Sequence, residues 1–369
     1  MKQLKVIIAG GGTGGHIFPA VAIGHALQRM KPGTELLFVG AAGKMEMEKV
    51  PQEGFRIIGL DIAGFNRSNM FKNLLLPIKL IRSAWKSRSI IKEFNPDVVV
   101  GVGGYASFPV LNAAQSKGVN TLIQEQNSFA GKSNRILGKK AKAVCVAYEN
   151  MEQFFPQAKI KITGNPVRHI IVQSSFNQLD GQQIFGLDPD CKTILVVGGS
   201  LGAKSINEAI DKDLEKIIED GTQVIWQTGK PYFEQARKRA EPFGDKVKVF
   251  EFIKQMDKGY AAADIVISRA GALAIAELCI VAKPVIFVPY PFAAEDHQTS
   301  NAMALVKKNA ALLVKDNAAA TDLINELEKL KKDDKKQKLM SEQLKKIAVK
   351  NADERIAQYI IDLANGKEI

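Results

Sequence analysis

The segment IIAGGGTGGHIFPA, Ile7 to Ala20, places five glycines and a histidine between an apolar run and a pattern typical of a helix start. Gly10, Gly12 and Gly15 satisfy the spacing G-x-G-x-x-G, which in dinucleotide-binding folds follows a strand and opens a helix. At such a helix start, unpaired N–H groups and the helix dipole attract an anion. The segment therefore predicts the strand, loop and helix that begin a Rossmann-like domain.

The same pattern begins again in the second half of the chain, where TILVVGGSLGAKSIN, from Thr193, is also a strand, a glycine loop and a helix. Throughout the chain, short apolar runs rich in β-branched residues alternate with helical patterns. This alternation is typical of parallel sheets that are covered by helices on both faces. In a chain of 369 residues it predicts an α/β fold of two doubly wound, Rossmann-like domains.

A Gly-Asn-Pro turn that begins at Gly164 marks the expected join between the two domains. We expect a first domain over residues 1–164, a second over 165–345, and a carboxy-terminal helix over 346–369. The Lys-rich stretch from about Leu323 onward carries apolar residues at helical spacing, so we expect its lysines to lie on a solvated helix face.

The charge of the chain favours an anionic partner. Lys and Arg total 51 against 39 Asp and Glu, a formal net charge of +12, which suits nucleotide phosphates, nucleic acid or an acidic membrane surface. Cys145, Cys191 and Cys279 form no CxxC pair, so we expect buried thiols and neither a disulfide framework nor a zinc site. No run reaches the ~18 apolar residues of a spanning helix, and the amino terminus has no secretion-signal pattern. We therefore expect a protein that is made and kept in the cytoplasm.

Two other nucleotide-binding classes are disfavoured by the surroundings of the glycine loops. A dinucleotide enzyme needs an acid at the end of the second strand to hold a ribose hydroxyl, and ELLFVGAAG, Glu35 to Gly43, ends without one. The loop GGSLGAKS, Gly198 to Ser205, carries Ala203 where the phosphate loop of an NTPase has glycine. A third helix start, SRAGALAIAE, places Glu277 within two turns of its beginning, where an acid suits sugar hydroxyls better than phosphate.

Eight motifs, in this order and over nearly the whole chain, resemble the MurG family of bacterial glycosyltransferases. They are GGTGGH at 11–16, AGF at 63–65, GVGGYASFP at 101–109, QEQN at 124–127, GNPVR at 164–168, GGSLGA at 198–203, SRAGAL at 268–273 and PFAAEDHQTSNA at 291–302. That family adds N-acetylglucosamine to undecaprenyl-diphosphate-linked N-acetylmuramoyl pentapeptide, which converts lipid I into lipid II. The resemblance implies the GT-B architecture, in which two Rossmann-like domains face each other across a cleft and the carboxy-terminal helix packs back on the first domain.

The resemblance also implies which residues bind the donor, UDP-N-acetylglucosamine. Ser200 would lie near the diphosphate, Ile253 would offer backbone contacts to uracil, and Glu277 would bind the ribose. Gln298 would contact the sugar hydroxyls. The remaining implied donor contacts are Thr13, Gly14, Gly15, Asn127, Ala272 and Leu273.

Such enzymes need no metal or other cofactor, and the sequence is consistent with that expectation. A metal-dependent glycosyltransferase uses an Asp-x-Asp at the end of a strand, whereas Asp188-Pro189-Asp190 precedes its strand and Asp211-Lys212-Asp213 lies in a helical pattern. The leaving UDP must then be stabilised by backbone N–H groups, a helix dipole and a cation. We expect Arg168 to be that cation.

Transfer with inversion needs a general base for the muramoyl 4-hydroxyl. His16 is the leading candidate, because imidazole titrates near neutral pH and the glycine loop directs it toward the substrates. A loop-bracing role is the alternative for this histidine. Glu125 is the reserve candidate, either as a supporting carboxylate or as the base itself. His25 and His169 are expected to be structural.

The acceptor of that family is anchored in a bilayer, so a membrane contact is expected. The segment that suits this role contains no acid and reads FNRSNMFKNLLLPIKLIRSAWKSRSIIK, residues 65–92. Its basic and apolar residues are typical of an interfacial, non-spanning contact with an anionic membrane. We expect Ile78 and Ile81 to be core residues and Met70 to Leu76 to face lipid. The expected location is peripheral, on the cytoplasmic face of the inner membrane.

Two alternatives to lipid I glycosylation stay open at the level of sequence. The first is the same transferase chemistry on another glycolipid acceptor, because one fold serves many sugars. The second is a non-enzymatic nucleic-acid or membrane binder that uses the positive charge. The chain has no aromatic stacking motif or base-reading module, so we expect no nucleic-acid partner.

Overall fold

The computed structural model describes residues 3–62, 76–199 and 201–369. The chain forms two compact units. The first unit contains residues 1–168 and 350–369, and the second contains residues 169–349. The segments 63–75 and the single residue Ser200 lie outside the described residues.

The first unit is built on a seven-stranded parallel sheet with the order β3-β2-β1-β4-β5-β6-β7. Its strands are β1 (Lys5–Ala9), β2 (Glu35–Ala41), β3 (Ile57–Leu60), β4 (Val98–Gly101), β5 (Asn120–Glu125), β6 (Ala143–Val146) and β7 (Ile160–Ile162). The helices that alternate with them are α1 (Gly14–Met30), α2 (Glu46–Gln52), α3 (Leu76–Phe94), α4 (Ser107–Ser116) and α5 (Lys132–Gly138).

The second unit repeats this plan with a six-stranded parallel sheet in the order β10-β9-β8-β11-β12-β13. Its strands are β8 (Thr193–Val197), β9 (Gln223–Gln227), β10 (Val247–Phe250), β11 (Ile265–Ser268), β12 (Val285–Phe287) and β13 (Leu312–Leu313). Its helices are α6 (His169–Val172), α7 (Gln178–Phe185), α8 (Lys204–Lys212), α9 (Leu214–Ile218), α10 (Phe233–Ala240), α11 (Met256–Ala262), α12 (Ala272–Val281), α13 (His297–Val306), α14 (Ala319–Lys331) and α15 (Asp334–Ile347).

The last helix, α16 (Ala352–Ala364), belongs to the first unit although it follows the second in sequence. Ile356 and Ile360 are fully buried in the same apolar cluster as Ile23 and Leu27 of α1. Arg29 at the end of α1 donates a hydrogen bond of 2.9 Å to Asp353 at the start of α16. The carboxy-terminal segment of the chain is therefore packed against the amino-terminal part of the first unit.

Continuous β-branched strands explain the fold. The central strand β1 reads KVIIA, and Val6, Ile7 and Ile8 are all at most 1% exposed because helices cover both faces of the sheet. In both units the chain starts at a central strand, runs to one edge, and then returns to build the other half. Strand order reverses between β1 and β4, and again between β8 and β11. Ligands of doubly wound sheets bind at the carboxyl ends of the strands at this reversal. The predicted α/β fold of two doubly wound domains is confirmed.

Candidate active site

The glycine loop between β1 and α1 uses its first N–H groups internally. Gly11 N donates to the carbonyl oxygen of Gly103 at 3.3 Å, and Gly12 N donates to Oε2 of Glu46 at 2.9 Å. These two N–H groups are therefore already satisfied within the protein. The part of the loop that remains suited to a ligand is the exposed start of α1 at Thr13 to Gly15.

Glu46 explains why this loop differs from a dinucleotide fingerprint. Its side chain is buried, and Oε1 accepts a second hydrogen bond of 2.9 Å from Ala41 N at the end of β2. A Cβ added at Gly11 or at Gly40 would overlap the Glu46 side chain, so both positions require glycine. An acid does follow the second strand, five residues after its last residue, but it binds the chain's own loop and not a ribose. The sequence motifs do not indicate this role of Glu46.

His16 lies two residues inside α1, with its ring held at one nitrogen. Nδ1 is 3.2 Å from the carbonyl oxygen of Gly11 and 3.3 Å from the hydroxyl of Thr13. Because a carbonyl oxygen only accepts, the contact with Gly11 favours the neutral tautomer that carries its proton on Nδ1. Nε2 is then the ring nitrogen that can take up a proton.

The loop after β4 packs directly against the first glycine loop at the strand reversal. A Cβ added at Gly103 would lie 2.9 Å from Nε2 of His16 and 3.8 Å from Oε1 of Gln126. Gly104 has φ +85°, and a Cβ there would overlap the carbonyl oxygen of Gly11. Glycine at 103 and 104 therefore lets three loops of the first unit meet around His16.

Glu125, at the end of β5, is 2% exposed and accepts hydrogen bonds at both oxygens. Oε1 accepts from the backbone and side-chain nitrogens of Asn127 at 3.1 and 3.2 Å. Oε2 accepts from Asn134 Nδ2 at 2.8 Å and from Gly131 N at 3.2 Å. Burial raises the pKa of Glu125 above its ordinary value, while the hydrogen bonds from Asn134, Asn127 and Gly131 act in the opposite direction. The carboxyl group thus fixes the loop that carries Asn127.

A buried amide network connects this loop to the turn that precedes Arg168. Gln124 Nε2 donates to Asn165 Oδ1, and Asn165 Nδ2 donates to the carbonyl of Gln126, each at 2.9 Å. Gln126 Nε2 donates to the carbonyl of Val102 at 2.7 Å. The half-buried Arg168 follows Asn165 by three residues and is therefore attached to a rigid turn.

In the second unit, the glycine loop after β8 packs on the end of β9. Gly202 has φ +77°, and a Cβ there would overlap the carbonyl oxygen of Thr228. That carbonyl also accepts a hydrogen bond of 2.9 Å from Asn207 Nδ2 on α8. Ser200, the residue of this loop predicted to lie near a diphosphate, is outside the described residues.

The start of α12 lies on the opposite side of the same strand reversal. Arg269, just before it, donates from Nη1 to Asp316 at 2.5 Å and to the carbonyl of Val288 at 3.0 Å, and from Nη2 to Ser205 at 3.2 Å. Ser205 belongs to the first turn of α8. Arg269 thereby fixes the start of α12, where Ala272 is buried and Leu273 is half-buried, relative to the start of α8.

Three predicted donor contacts have defined surroundings in the second unit. Ile253 and Glu277 are buried, at 3% and 4% exposure, and Glu277 Oε2 accepts from the hydroxyl of Tyr260 at 3.3 Å. Gln298, on α13, is half-buried and accepts a hydrogen bond of 2.9 Å from Tyr290 N. It therefore braces the loop between β12 and α13.

The described residues contain no group of three or more His, Cys, Asp or Glu side chains placed to hold a metal ion. His25 pairs with Glu53 at 3.2 Å, and its ring packs on Phe55 with the ring centroids 4.7 Å apart.

Comparison with known proteins gives consistent matches over both units. The model of the glycosyltransferase family 28 N-terminal domain matches residues 6–146, and that of the family 28 C-terminal domain matches residues 193–356. A protein of Bacteroides thetaiotaomicron is 52% identical over 99% of both chains, and one of Parabacteroides distasonis is 48% identical over 100% of both. Both are named UDP-N-acetylglucosamine--N-acetylmuramyl-(pentapeptide) pyrophosphoryl-undecaprenol N-acetylglucosamine transferase. The crystal structure of Acinetobacter baumannii MurG superimposes with a TM-score of 0.79 at 30% identity, covering 97% of this chain and 99% of that one.

The chain belongs to the MurG family. It is therefore a glycosyltransferase, and the resemblance carried by the eight sequence motifs is confirmed. Within this MurG family member, the first unit brings Thr13 to His16 together with Gly103 and the loop of Glu125. Ile253, Ala272, Glu277 and Gln298 belong to the second unit.

Proposed function

We propose that the chain is an inverting N-acetylglucosaminyltransferase that moves N-acetylglucosamine from UDP-N-acetylglucosamine to the 4-hydroxyl of the muramoyl residue of lipid I, giving lipid II. The observation that carries this proposal is the 52% identity, over 99% of both chains, to a relative named for a transfer of this kind. The arrangement around His16 supports it, because an imidazole, a group suited to general-base catalysis, lies at the carboxyl end of the first sheet.

His16 is the general base in this proposal. With the Nδ1 proton directed at the Gly11 carbonyl, Nε2 accepts the proton of the muramoyl 4-hydroxyl. The hydroxyl oxygen forms a bond to the anomeric carbon while the bond from that carbon to the UDP oxygen breaks. UDP leaves with the electron pair, and attack from the opposite face inverts the anomeric configuration.

Glu125 supports this reaction as a positioning residue. Its two oxygens already accept four hydrogen bonds from Asn127, Gly131 and Asn134, so its chemistry is directed at its own loop. By holding Asn127, it places a side-chain amide where the family's motif contacts the donor. Of the two predicted roles, the supporting carboxylate is the one that this geometry favours.

The donor binds mainly to the second unit, and the first unit faces the acceptor and the membrane. The α8 helix start and Ser200 receive the diphosphate, Ile253 contacts uracil, Glu277 the ribose and Gln298 the sugar. Thr13, Gly14, Gly15 and Asn127 contact the donor from the first unit, and Ala272 and Leu273 add contacts at the start of α12. Arg168 stabilises the charge that develops on UDP.

Helix α3 is the membrane contact that can be described within residues 65–92. Trp85 is 72% and Ile81 60% exposed on this helix, which also carries Arg82, Arg88 and Lys92. Ile78 is 48% exposed, so the expectation that Ile78 and Ile81 are core residues is wrong. Exposed apolar side chains beside cations favour an anionic lipid surface. The stretch from Phe65 to Leu75 lies outside the described residues.

In the described part of the chain, no helix has both the length and the apolar character required to cross a bilayer. We place the enzyme at the cytoplasmic face of the bacterial inner membrane as a peripheral protein, because that is where UDP-N-acetylglucosamine and a membrane-anchored acceptor are both accessible.

The proposal is tested by identifying the product. Purified protein is incubated with UDP-N-acetylglucosamine and a lipid I analogue in the presence of a chelator. We expect release of UDP and a disaccharide with a β linkage to the muramoyl C4, assigned by NMR. An α linkage, attachment to another hydroxyl, or a strict requirement for a divalent metal would contradict the proposal.

A further inference from the structure

Gln227, the last residue of β9, connects two loops of the second unit through its side-chain amide. The residue is 1% exposed. Oε1 accepts a hydrogen bond of 2.8 Å from Ile253 N, and Nε2 donates one of 3.1 Å to the carbonyl oxygen of Gly199. The two ends of one amide are therefore used in opposite directions, one as acceptor and one as donor.

The two connected loops are those assigned above to different parts of the donor. Gly199 lies in the glycine loop after β8, where its carbonyl oxygen also accepts from Gly202 N at 3.1 Å. Ile253 lies between β10 and α11, in the loop assigned to uracil. The diphosphate and the base of a nucleotide are covalently linked at a fixed separation, so the spacing of these loops affects how well both are bound at once.

The surrounding backbone makes the end of β9 a rigid support for this side chain. Thr228 N donates to the carbonyl of Phe250 at 3.0 Å, and Gly229 N donates to that of Glu251 at 3.1 Å, which continues the β9–β10 pairing past the strand end. Because Gln227 is buried and its backbone is held, its amide has a defined direction.

We propose that Gln227 is a positioning residue for donor recognition. Its amide fixes the glycine loop after β8 relative to the loop between β10 and α11, and it directs the backbone of Ile253. Since Ile253 N–H is already bonded to Gln227, Ile253 offers its carbonyl oxygen to the base. A uracil ring, which carries an N3–H donor, matches this polarity. The inference rests on the proposed function, because it takes the two loops to be the uridine diphosphate site.

The substitution Gln227→Glu tests the direction of the amide. As a carboxylate, the introduced side chain can still accept from Ile253 N but sets a second oxygen against the Gly199 carbonyl. When protonated, it can donate to that carbonyl as the glutamine does. Burial and the facing carbonyl both raise the pKa of the introduced carboxyl group, so it becomes protonated in mildly acidic solution.

We expect isothermal titration calorimetry with UDP to show a pH-dependent defect. At about pH 8 the Gln227→Glu protein should bind UDP about 10- to 100-fold more weakly than the wild type, because the hydrogen bond to the Gly199 carbonyl is lost and replaced by a repulsive contact between two oxygens. The ratio to the wild type, measured at each pH, should approach one at about pH 5.5. Because protonation of a buried carboxyl group also restores stability, a matched control variant is needed to separate an effect on the two loops from a general loss of stability.

Gln223 provides a matched control at the other end of the same strand. It is 3% exposed, its Nε2 donates to the Asp188 carbonyl and its Oε1 accepts from Asp188 N, both at 2.7 Å. Gln223→Glu disrupts the same kind of amide bridge at a site that does not contact the two loops. We therefore expect a loss of thermal stability comparable to that of Gln227→Glu, with UDP affinity within about two-fold of the wild type.

Gln227→Asn gives a second, neutral variant in case the carboxylate prevents folding. Its amide is one methylene shorter and cannot span both loops, so UDP affinity should fall at every pH. UDP affinity of folded Gln227→Glu or Gln227→Asn within about two-fold of the wild type at about pH 8, or an equal loss in Gln223→Glu, would overturn the inference. A wild-type protein that does not bind UDP would instead contradict the proposed function itself.

Discussion

At the scale of single residues, buried polar groups decide what the site can do. Glu125 was a candidate base from its place in QEQN, and its four hydrogen bonds to Asn127, Gly131 and Asn134 favour a positioning role. Glu46 accepts a hydrogen bond from Gly12 N, a loop N–H group that a dinucleotide enzyme would offer to phosphate. The contact between Glu46 and Gly12 does not follow from local sequence, because the two residues are 34 positions apart and meet only when β1 and β2 pair.

Glu125→Gln should weaken donor use and lower stability. The substitution replaces one carboxylate oxygen, which accepted hydrogen bonds, by an NH2 group that faces the same N–H donors. We therefore expect a loss of about 1–3 kcal/mol in the free energy of unfolding. The KM for UDP-N-acetylglucosamine should rise because Asn127 is no longer fixed, as steady-state kinetics will measure. If Glu125 were the base, kcat would instead fall by orders of magnitude at unchanged KM.

Glu46→Ala should reduce activity through the first glycine loop. Removing the carboxylate leaves the N–H groups of Gly12 and Ala41 without their acceptor, at an expected cost of about 1–3 kcal/mol in unfolding free energy. The exposed Glu48 on the same helix is the control, and Glu48→Ala should behave as the wild type. Equal unfolding curves and equal kcat for the two variants would contradict the role of Glu46.

At the scale of elements, close approach between loops at the strand reversals shapes both units. The glycine loops and the parallel strands could be predicted from sequence because both are local patterns. The exposure of Ile78 and Ile81 could not, because helical periodicity shows which residues share a face of α3 but not which face the sheet covers. The hydrogen-bond partners of Gln227 could not be predicted from sequence either, because Gly199 and Ile253 are brought to Gln227 only by the order of β8, β9 and β10.

Gly104→Ala should reduce transfer more than a comparable substitution elsewhere. Gly104 has φ +85° and a Cβ there meets the Gly11 carbonyl, whereas Gly54 has φ +83° with open space around it. Both variants carry the same backbone strain, so the difference between them isolates the contact between loops. We expect kcat to fall at least about 10-fold further in Gly104→Ala. Equal kcat values would show that loop contact does not matter.

At the scale of the whole molecule, the chain returns to its first unit to complete it. Ile360→Ala on α16 should lower the stability of the first unit by about 2–5 kcal/mol, the range for a large buried aliphatic side chain. The exposed Arg355→Ala on the same helix should change it by less than about 0.5 kcal/mol. Denaturation followed by circular dichroism reports both units. With Trp85 of the first unit replaced by Phe in all of these proteins, the fluorescence of buried Trp226 reports the second unit, and its transition should not move.

Membrane binding is also a property of the whole molecule. Trp85→Ala should reduce sedimentation with anionic vesicles several-fold, because an exposed indole beside cations is lost from the contact. Binding should weaken further as salt is raised. Leu339→Ala removes an exposed apolar side chain of the second unit and serves as the control. Equal binding by both variants and the wild type would remove α3 from the contact.

The most direct test of the account is the rate of lipid II formation by His16→Ala at saturating UDP-N-acetylglucosamine and lipid I analogue. We expect kcat to fall about 10²- to 10⁴-fold, the contribution of a general base, while KM for the donor stays within a few-fold of the wild type. His25→Ala, which removes the histidine paired with Glu53, should retain wild-type kcat. A His16→Ala enzyme that turns over at the wild-type rate would contradict the assignment of His16 as the base.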